Sequence, residues 1–138
     1  EICRDNMLRM MKSKRIVCLC GSTKFKKEFD YWQEALARMD FVVLSVSSYT
    51  HADNVFMTEG SKMAFDKLHF ERIRLADIVL VLDQQGYMGE STRREMEFAR
   101  VEGKRVVFLS ELMKKVEESL IYGTACPIDD IEREKSSP

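Results

Sequence analysis

The stretch IVLVLDQQGYMGESTRREMEFAR, residues 78 to 100, decides how this chain folds. Its first five residues form an apolar, branched run suited to a strand buried on both faces. A polar loop punctuated by Gly86 and Gly89 follows, and from Glu90, Ser91 and Thr92 the spacing becomes helical. A buried strand therefore delivers a loop to a helix N-terminus. Such a terminus offers unpaired N–H groups and the positive end of the helix dipole, which together favour an anion. With Ser91 or Thr92 as N-cap, Glu95 falls in the first turn, near the cleft expected at the carboxyl ends of parallel strands. The same spacing fits a capping box in which Glu95 only reaches back to the cap backbone, and the local pattern leaves both readings open.

The flanking sequence repeats the scheme. Arg15 to Cys20 and Phe41 to Val46 precede the run Ile78 to Leu82, and Arg105 to Leu109 follows it, each an apolar segment of strand length. Between them, Phe25, Phe29, Trp32, Leu36 and Met39 recur at helical steps. Gly60 to Ala76 carries Met63, Phe65, Leu68, Ile73 and Leu75, and helices are also expected over Thr92 to Glu102 and Glu111 to Ile121. Strands alternating with helices imply an α/β chain, a Rossmann- or flavodoxin-like three-layer sandwich with a parallel sheet of four to five strands. Ligands of such sheets bind beyond the strand carboxyl ends at the switch point, here the loops Gly21-Ser22-Thr23-Lys24 and Gly86 to Thr92. Neither loop is GxxxxGK[ST] or GxGxxG, so an ordinary P-loop or dinucleotide enzyme is not supported.

Composition narrows the function further. With 138 residues the chain makes one domain, and 22 Lys and Arg against 23 Asp and Glu give no basic excess for a nucleic acid polymer or a membrane surface. No apolar run approaches a membrane span and no signal-peptide block is visible, so a cytoplasmic protein is expected. Cys3, Cys18, Cys20 and Cys126 lack zinc-ligand spacing; neither metal nor cofactor is expected. Cys18 and Cys20 alternate in a strand and share one face, at the core or the site edge. Residues 1 to 14 read as a leader or short helix, with Met11 a plausible start, residues 15 to 126 as the domain, and 127 to 138 as a mobile tail. The loop Ser47 to Thr58 is long enough to suggest function, and Tyr49, His51 and Asp53 either border a pocket or belong to a plain loop.

Strand one ending in Cys20, Gly21 and Ser22, the sequence Leu75-Ala76-Asp77 before a strand, and the glycine loop leading to Glu95 with Ala99 four residues on together resemble the nucleoside 2-deoxyribosyltransferase superfamily, which includes the 2′-deoxynucleoside 5′-phosphate N-hydrolases. The likeness runs from about Arg15 to Leu109. It implies cleavage of an N-glycosidic bond of a nucleoside or nucleoside 5′-monophosphate, by hydrolysis or deoxyribosyl transfer. The family nucleophile falls on Glu95; Glu97 would point about 200° around the helix and is the weaker candidate. Where many members carry an aspartate beside the leaving base this chain has His69, and where many carry a tyrosine it has Cys18. An imidazole with a pKa near 6.5 could protonate a departing base, although a lone histidine on a helix also commonly makes only a structural hydrogen bond.

Chemistry independently asks for a carboxylate here, because an oxocarbenium-like state must be balanced by charge or trapped as an ester while an acid serves the leaving group. Gly21, Ser22, Thr23, Lys24, Gly89, Glu90, Ser91, Thr92 and Arg93 would then hold the sugar-phosphate end, with Tyr87 and Met88 against sugar or base and Arg94 in solvent. The resemblance also implies a homodimer or higher homo-oligomer that completes the site, with Ser119 or Thr124 as possible contributors in trans. A nucleotide-binding or sensing domain without chemistry is the competing class.

Overall fold

A computed structural model describes residues 15–47, 49 and 56–123. The expectations placed on residues 1 to 14, His51, Asp53, Thr124, Cys3, Cys126, the side chain of Ser119 and residues 127 to 138 lie outside what it describes. Strands β1 (Ile16–Gly21), β2 (Val42–Leu44), β3 (Ile78–Leu82) and β4 (Arg105–Phe108) form a parallel sheet in the order β2-β1-β3-β4. Helices α1 (Lys26–Arg38), α2 (Glu59–Leu75), α3 (Glu90–Val101) and α4 (Leu109–Tyr122) connect and follow them. This is the α/β three-layer sandwich that the alternation of apolar runs predicts, with four strands.

The strand order reverses between β1 and β3, so the loops leaving those two strands splay apart and open a crevice, as the switch-point rule requires. Their carboxyl ends are neighbours through the pairing of Gly21 with Leu82. A Cβ at Gly21 would stand 3.1 Å from Leu82 Cβ and 3.2 Å from its carbonyl oxygen, so the glycine permits this approach. At the other end of the strands, Asp77 fixes the register: its carboxylate accepts from Ile16 N–H at 2.9 Å and its own N–H donates to Ile16 carbonyl at 2.8 Å.

Each face of the sheet has its own core. On one, Phe29, Trp32 and Leu36 of α1 and Leu109 and Leu112 of α4 cover Val17, Leu19, Ile78, Leu80 and Leu82. Burying side chains of this size contributes about 1.5–3 kcal/mol each. On the other face, Ile73 and Ala76 from the end of α2 and Ala99 of α3 cover Cys18, Cys20, Val79 and Val81.

Two helix starts and one buried helix face differ from expectation. Helix α3 begins at Glu90, not Thr92: Gly89 is its N-cap, with extended backbone and no side-chain cap, and its carbonyl accepts from Arg93 N–H at 3.1 Å. Helix α4 starts at Leu109, directly after β4, because Asp83 at the end of β3 takes the Ser110 N–H at 2.8 Å and its hydroxyl at 2.6 Å. The apolar residues of α2 do not mark its core face. Met63, Phe65, Leu68 and Leu75 are exposed, and His69 and Ile73, four residues apart, are the buried pair of that helix.

Candidate functional site

The crevice between the β1 and β3 loops is a cleft of ≈ 640 Å³, within the size range of small-molecule sites. Its lining includes Gly21, Ser22, Thr23 and Lys24 after β1, Tyr87, Gly89, Glu90, Ser91 and Thr92 after β3, and His69 and Glu95 at the back. Of the described residues expected at the sugar-phosphate end, the leaving base and the nucleophile, all meet there except Arg93; Met88, expected against sugar or base, packs instead on the core beside Cys18 and Cys20. The two arginines exchange roles: Arg94 borders the cleft, and Arg93 is exposed outside its lining. Position 94 rather than 93 faces the opening.

The same shift removes the capping box. Counting from Gly89, the third helical residue is Thr92, and Glu95 lies a turn deeper, out of reach of the cap. Its side chain is 15% exposed and one carboxylate oxygen, Oε2, has no hydrogen-bond partner among the described residues. Glu97 is exposed and absent from the cleft, as the helical geometry predicts.

Helix α2 brings His69 against this carboxylate. Its Nε2 lies 3.2 Å from Cys20 Sγ and 3.6 Å from Glu95 Oε2, while Nδ1 is buried with no described partner. Burial, and secondarily the charge of Arg72, lowers the His69 pKa to about 4. Burial also raises Glu95 to about 8; Asp66 pushes the same way, and Cys20 and Arg94 oppose it. At neutral pH the contact is therefore between a neutral imidazole and a carboxylic acid, not an ion pair. The expected imidazolium, ready to protonate a base at its ordinary pKa, is not the resting form. Whichever atom holds it, the pair carries one proton between pH about 4 and about 8. A hydrogen bond from the Cys20 thiol to Cys18, then burial, raises Cys20 well above the usual thiol range, so it too is uncharged.

At the outer end, Lys24 Nζ rests 3.2 Å from the centroid of the Tyr87 ring and 5.0 Å from that of Phe25. The rings themselves meet edge to face at 5.9 Å. The turn that carries Lys24 is closed by Phe25 N–H donating to Ser22 carbonyl at 3.0 Å. Helix α1 opens just beyond it without a side-chain cap. Two helix N-termini and one ammonium thus converge on the rim, an arrangement that suits a phosphate. Tyr49 takes the plainer of its two readings. It packs on Phe29 and lies 3.3 Å from Gln33 Nε2 and 3.4 Å from Asp30, away from the cleft.

Sequence reasoning missed the remaining wall. Lys62, Phe65 and Asp66 line the cleft from α2 on the same face as His69, at steps of three, four and seven residues that a search outward from His69 could have found. Phe56 and Met57 complete it at the start of that helix. Among the described residues no helix is long and apolar enough to cross a membrane. No family model matches the chain, and no curated protein matches it either.

Proposed function

We propose that this chain cleaves an N-glycosidic bond of a nucleoside or nucleoside 5′-monophosphate, with Glu95 as nucleophile. The observation that carries the reading is the position of Glu95: a buried carboxyl at the back of a nucleotide-sized cleft, too deep in its helix to cap it and with an oxygen unpartnered among the described residues. In the first step one proton moves from Glu95 to His69, creating carboxylate and imidazolium together. Glu95 oxygen then bonds to the anomeric carbon as the C–N bond breaks, and the base departs with the His69 proton. Water, or the nitrogen of a second base, attacks the glycosyl ester and frees Glu95. Lys24 and the turn Gly89 to Thr92 serve the sugar-phosphate end, and Asp66 supplies a further carboxylate on the α2 wall.

A homo-oligomer is part of the proposal. Phe56, Met63 and Leu68 are 90%, 58% and 51% exposed along α2 and its approach, beside the cleft, where a second copy would close it. The competing reading, a nucleotide-binding domain without chemistry, is favoured by the uncharged resting state of both His69 and Glu95.

Incubation with each common deoxynucleoside and its 5′-monophosphate, followed by chromatography for free base, separates the two. Glu95→Gln should lower base release on the order of a thousandfold or more while binding persists, and Glu97→Gln should leave it near normal. Ligand retention without any base release would transfer the site to the binding class. Light scattering on the same samples reads the oligomer, and a monomer would remove that part.

A further inference from the structure

The face of the sheet beneath α2 and α3 contains a concentration of donor atoms that its apolar neighbours do not require. Cys18 and Cys20, two residues apart on β1, point the same way, and His69 descends on them from 49 residues further along the chain. All three are buried, and the two sulfurs and a His69 ring nitrogen lie within 4.8 Å of one another. Around them stand Ile73, Ala76, Val79, Val81 and Ala99. Glu95 extends the cluster, its Oε2 3.6 Å from His69 Nε2 and without a hydrogen-bond partner among the described residues.

We propose that Cys18, Cys20 and His69 form a binding site for a thiophilic dication, Zn²⁺ in the first place, with the Glu95 carboxylate as fourth ligand. A tetrahedral zinc with bonds of about 2.3 Å to sulfur and about 2.0 Å to nitrogen and oxygen holds neighbouring donors roughly 3.3–3.8 Å apart. The contact between Cys20 and His69, at 3.2 Å, is already inside that separation, and the widest pair of the three must close by about 1.3 Å at most. Side-chain rotation about β1 and α2 supplies this without moving the sheet. Two thiolates, an imidazole and a carboxylate are a donor set that suits zinc and not magnesium or calcium, which prefer oxygen. The ion has a way in, because His69 and Glu95 face the open cleft while the cysteines lie behind them.

The proton balance is explicit. Each cysteine gives up its thiol proton to solvent, Glu95 gives up the proton it carries at neutral pH, neutral His69 binds through Nε2, and no electron is transferred. Binding occupies both groups assigned to glycosidic cleavage, so zinc should inhibit base release. That consequence, unlike the binding itself, rests on the reading of Glu95 as nucleophile.

Competition between the reduced full-length chain and a chromophoric zinc chelator tests the site, with Co²⁺ as a spectroscopic substitute. One zinc per chain is expected, and the cobalt form should show an intense near-ultraviolet thiolate-to-metal absorption. Cys18→Ser should weaken zinc at least about a hundredfold and remove most of that absorption, since even an outer partner of a ligand is worth ten- to a hundredfold. Cys18→Ala, which leaves only a small void, covers the case in which a buried hydroxyl unfolds the chain. Failure of the folded wild-type chain to compete for zinc would overturn the proposal. So would a cobalt spectrum without thiolate character, or unchanged binding in both variants, which would put the ion at other residues. Zinc bound as described with no base release at any metal level would uphold the site and remove the catalytic reading instead.

Discussion

The two faces of the central sheet are built from the same strands to different ends. Toward α1 and α4, β1 and β3 present Val17, Leu19, Ile78, Leu80 and Leu82 to large aromatic and branched partners. Toward α2 and α3 they present Cys18, Cys20, Val79 and Val81 to Ile73, Ala76 and Ala99, with His69, Thr92 and Glu95 at the cleft end. The first face is closed by volume. On the second, smaller side chains leave room for helices that carry polar groups inward, and those groups are stabilised in their neutral forms by burial. Stability is therefore concentrated on one side of β1, and the candidate chemistry on the other.

A core truncation measures how separate the two sides are. Phe29 is fully buried against the first face, so Phe29→Ala should cost about 3–5 kcal/mol in denaturant unfolding. Because the Cβ of Gly21 would lie only 3.5 Å from the Phe29 ring, the variant also probes whether the β1 loop depends on this face. The expectation is a large loss of stability with little change in ligand affinity at temperatures where the variant stays folded. A comparable loss in affinity would show that the cleft is held in shape from the far side of the sheet.

The first face was readable from sequence, because Phe29, Trp32 and Leu36 stand at helical spacing and the strands are unbroken apolar runs. The second was readable only in its strand half: alternation puts Cys18 and Cys20 on one side, but nothing in the spacing announces a histidine 49 residues away. Helix α2 misled because its exposed positions carry Met63, Leu68 and Leu75, so the most apolar stripe is not the buried one. At α3 the stronger cap formers Ser91 and Thr92 drew the boundary past Gly89, whose extended backbone does the work without a side chain. That two-residue shift separates a capping role for Glu95 from a place in the cleft.

Between pH about 4 and about 8, titration should act on the second face through Glu95 and His69. Glu95 is raised from 4.5 to about 8, so its favourable protonated state is lost as pH climbs from the unfolded value through the folded one. His69 is lowered from 6.5 to about 4, so its contribution is complete above the unfolded value and is lost as pH falls through the folded one. Between pH 4.5 and 6.5 the two slopes oppose each other and stability should be nearly flat; from 6.5 to about 8 only the glutamate slope remains. At about 1.36 kcal/mol per unit, that alkaline limb amounts to at most about 2 kcal/mol. Unfolding midpoints across pH should show it in the wild-type chain and not in Glu95→Gln. A limb that survives the substitution would assign it to another group.

The smallest effect expected is at the rim, where Lys24 already has a partner. A charge-assisted contact to a 5′-phosphate is worth roughly 1.5–3 kcal/mol, but the ammonium must first leave, or share, the Tyr87 ring, and a cation over an aromatic face is worth about 0.5–1 kcal/mol at an exposed site. The difference leaves about 1–2 kcal/mol. Lys24→Ala should therefore weaken a nucleoside monophosphate about five- to thirtyfold by calorimetry and leave the matching nucleoside almost unchanged. Tyr87→Leu keeps the bulk of the rim but removes the competing face, so it should shift the balance between the two ligands toward the phosphorylated one. Equal losses for nucleotide and nucleoside on removing Lys24 would mean that its contact with Tyr87 holds the β1 and β3 loops together and that the phosphate is gripped by backbone N–H groups alone.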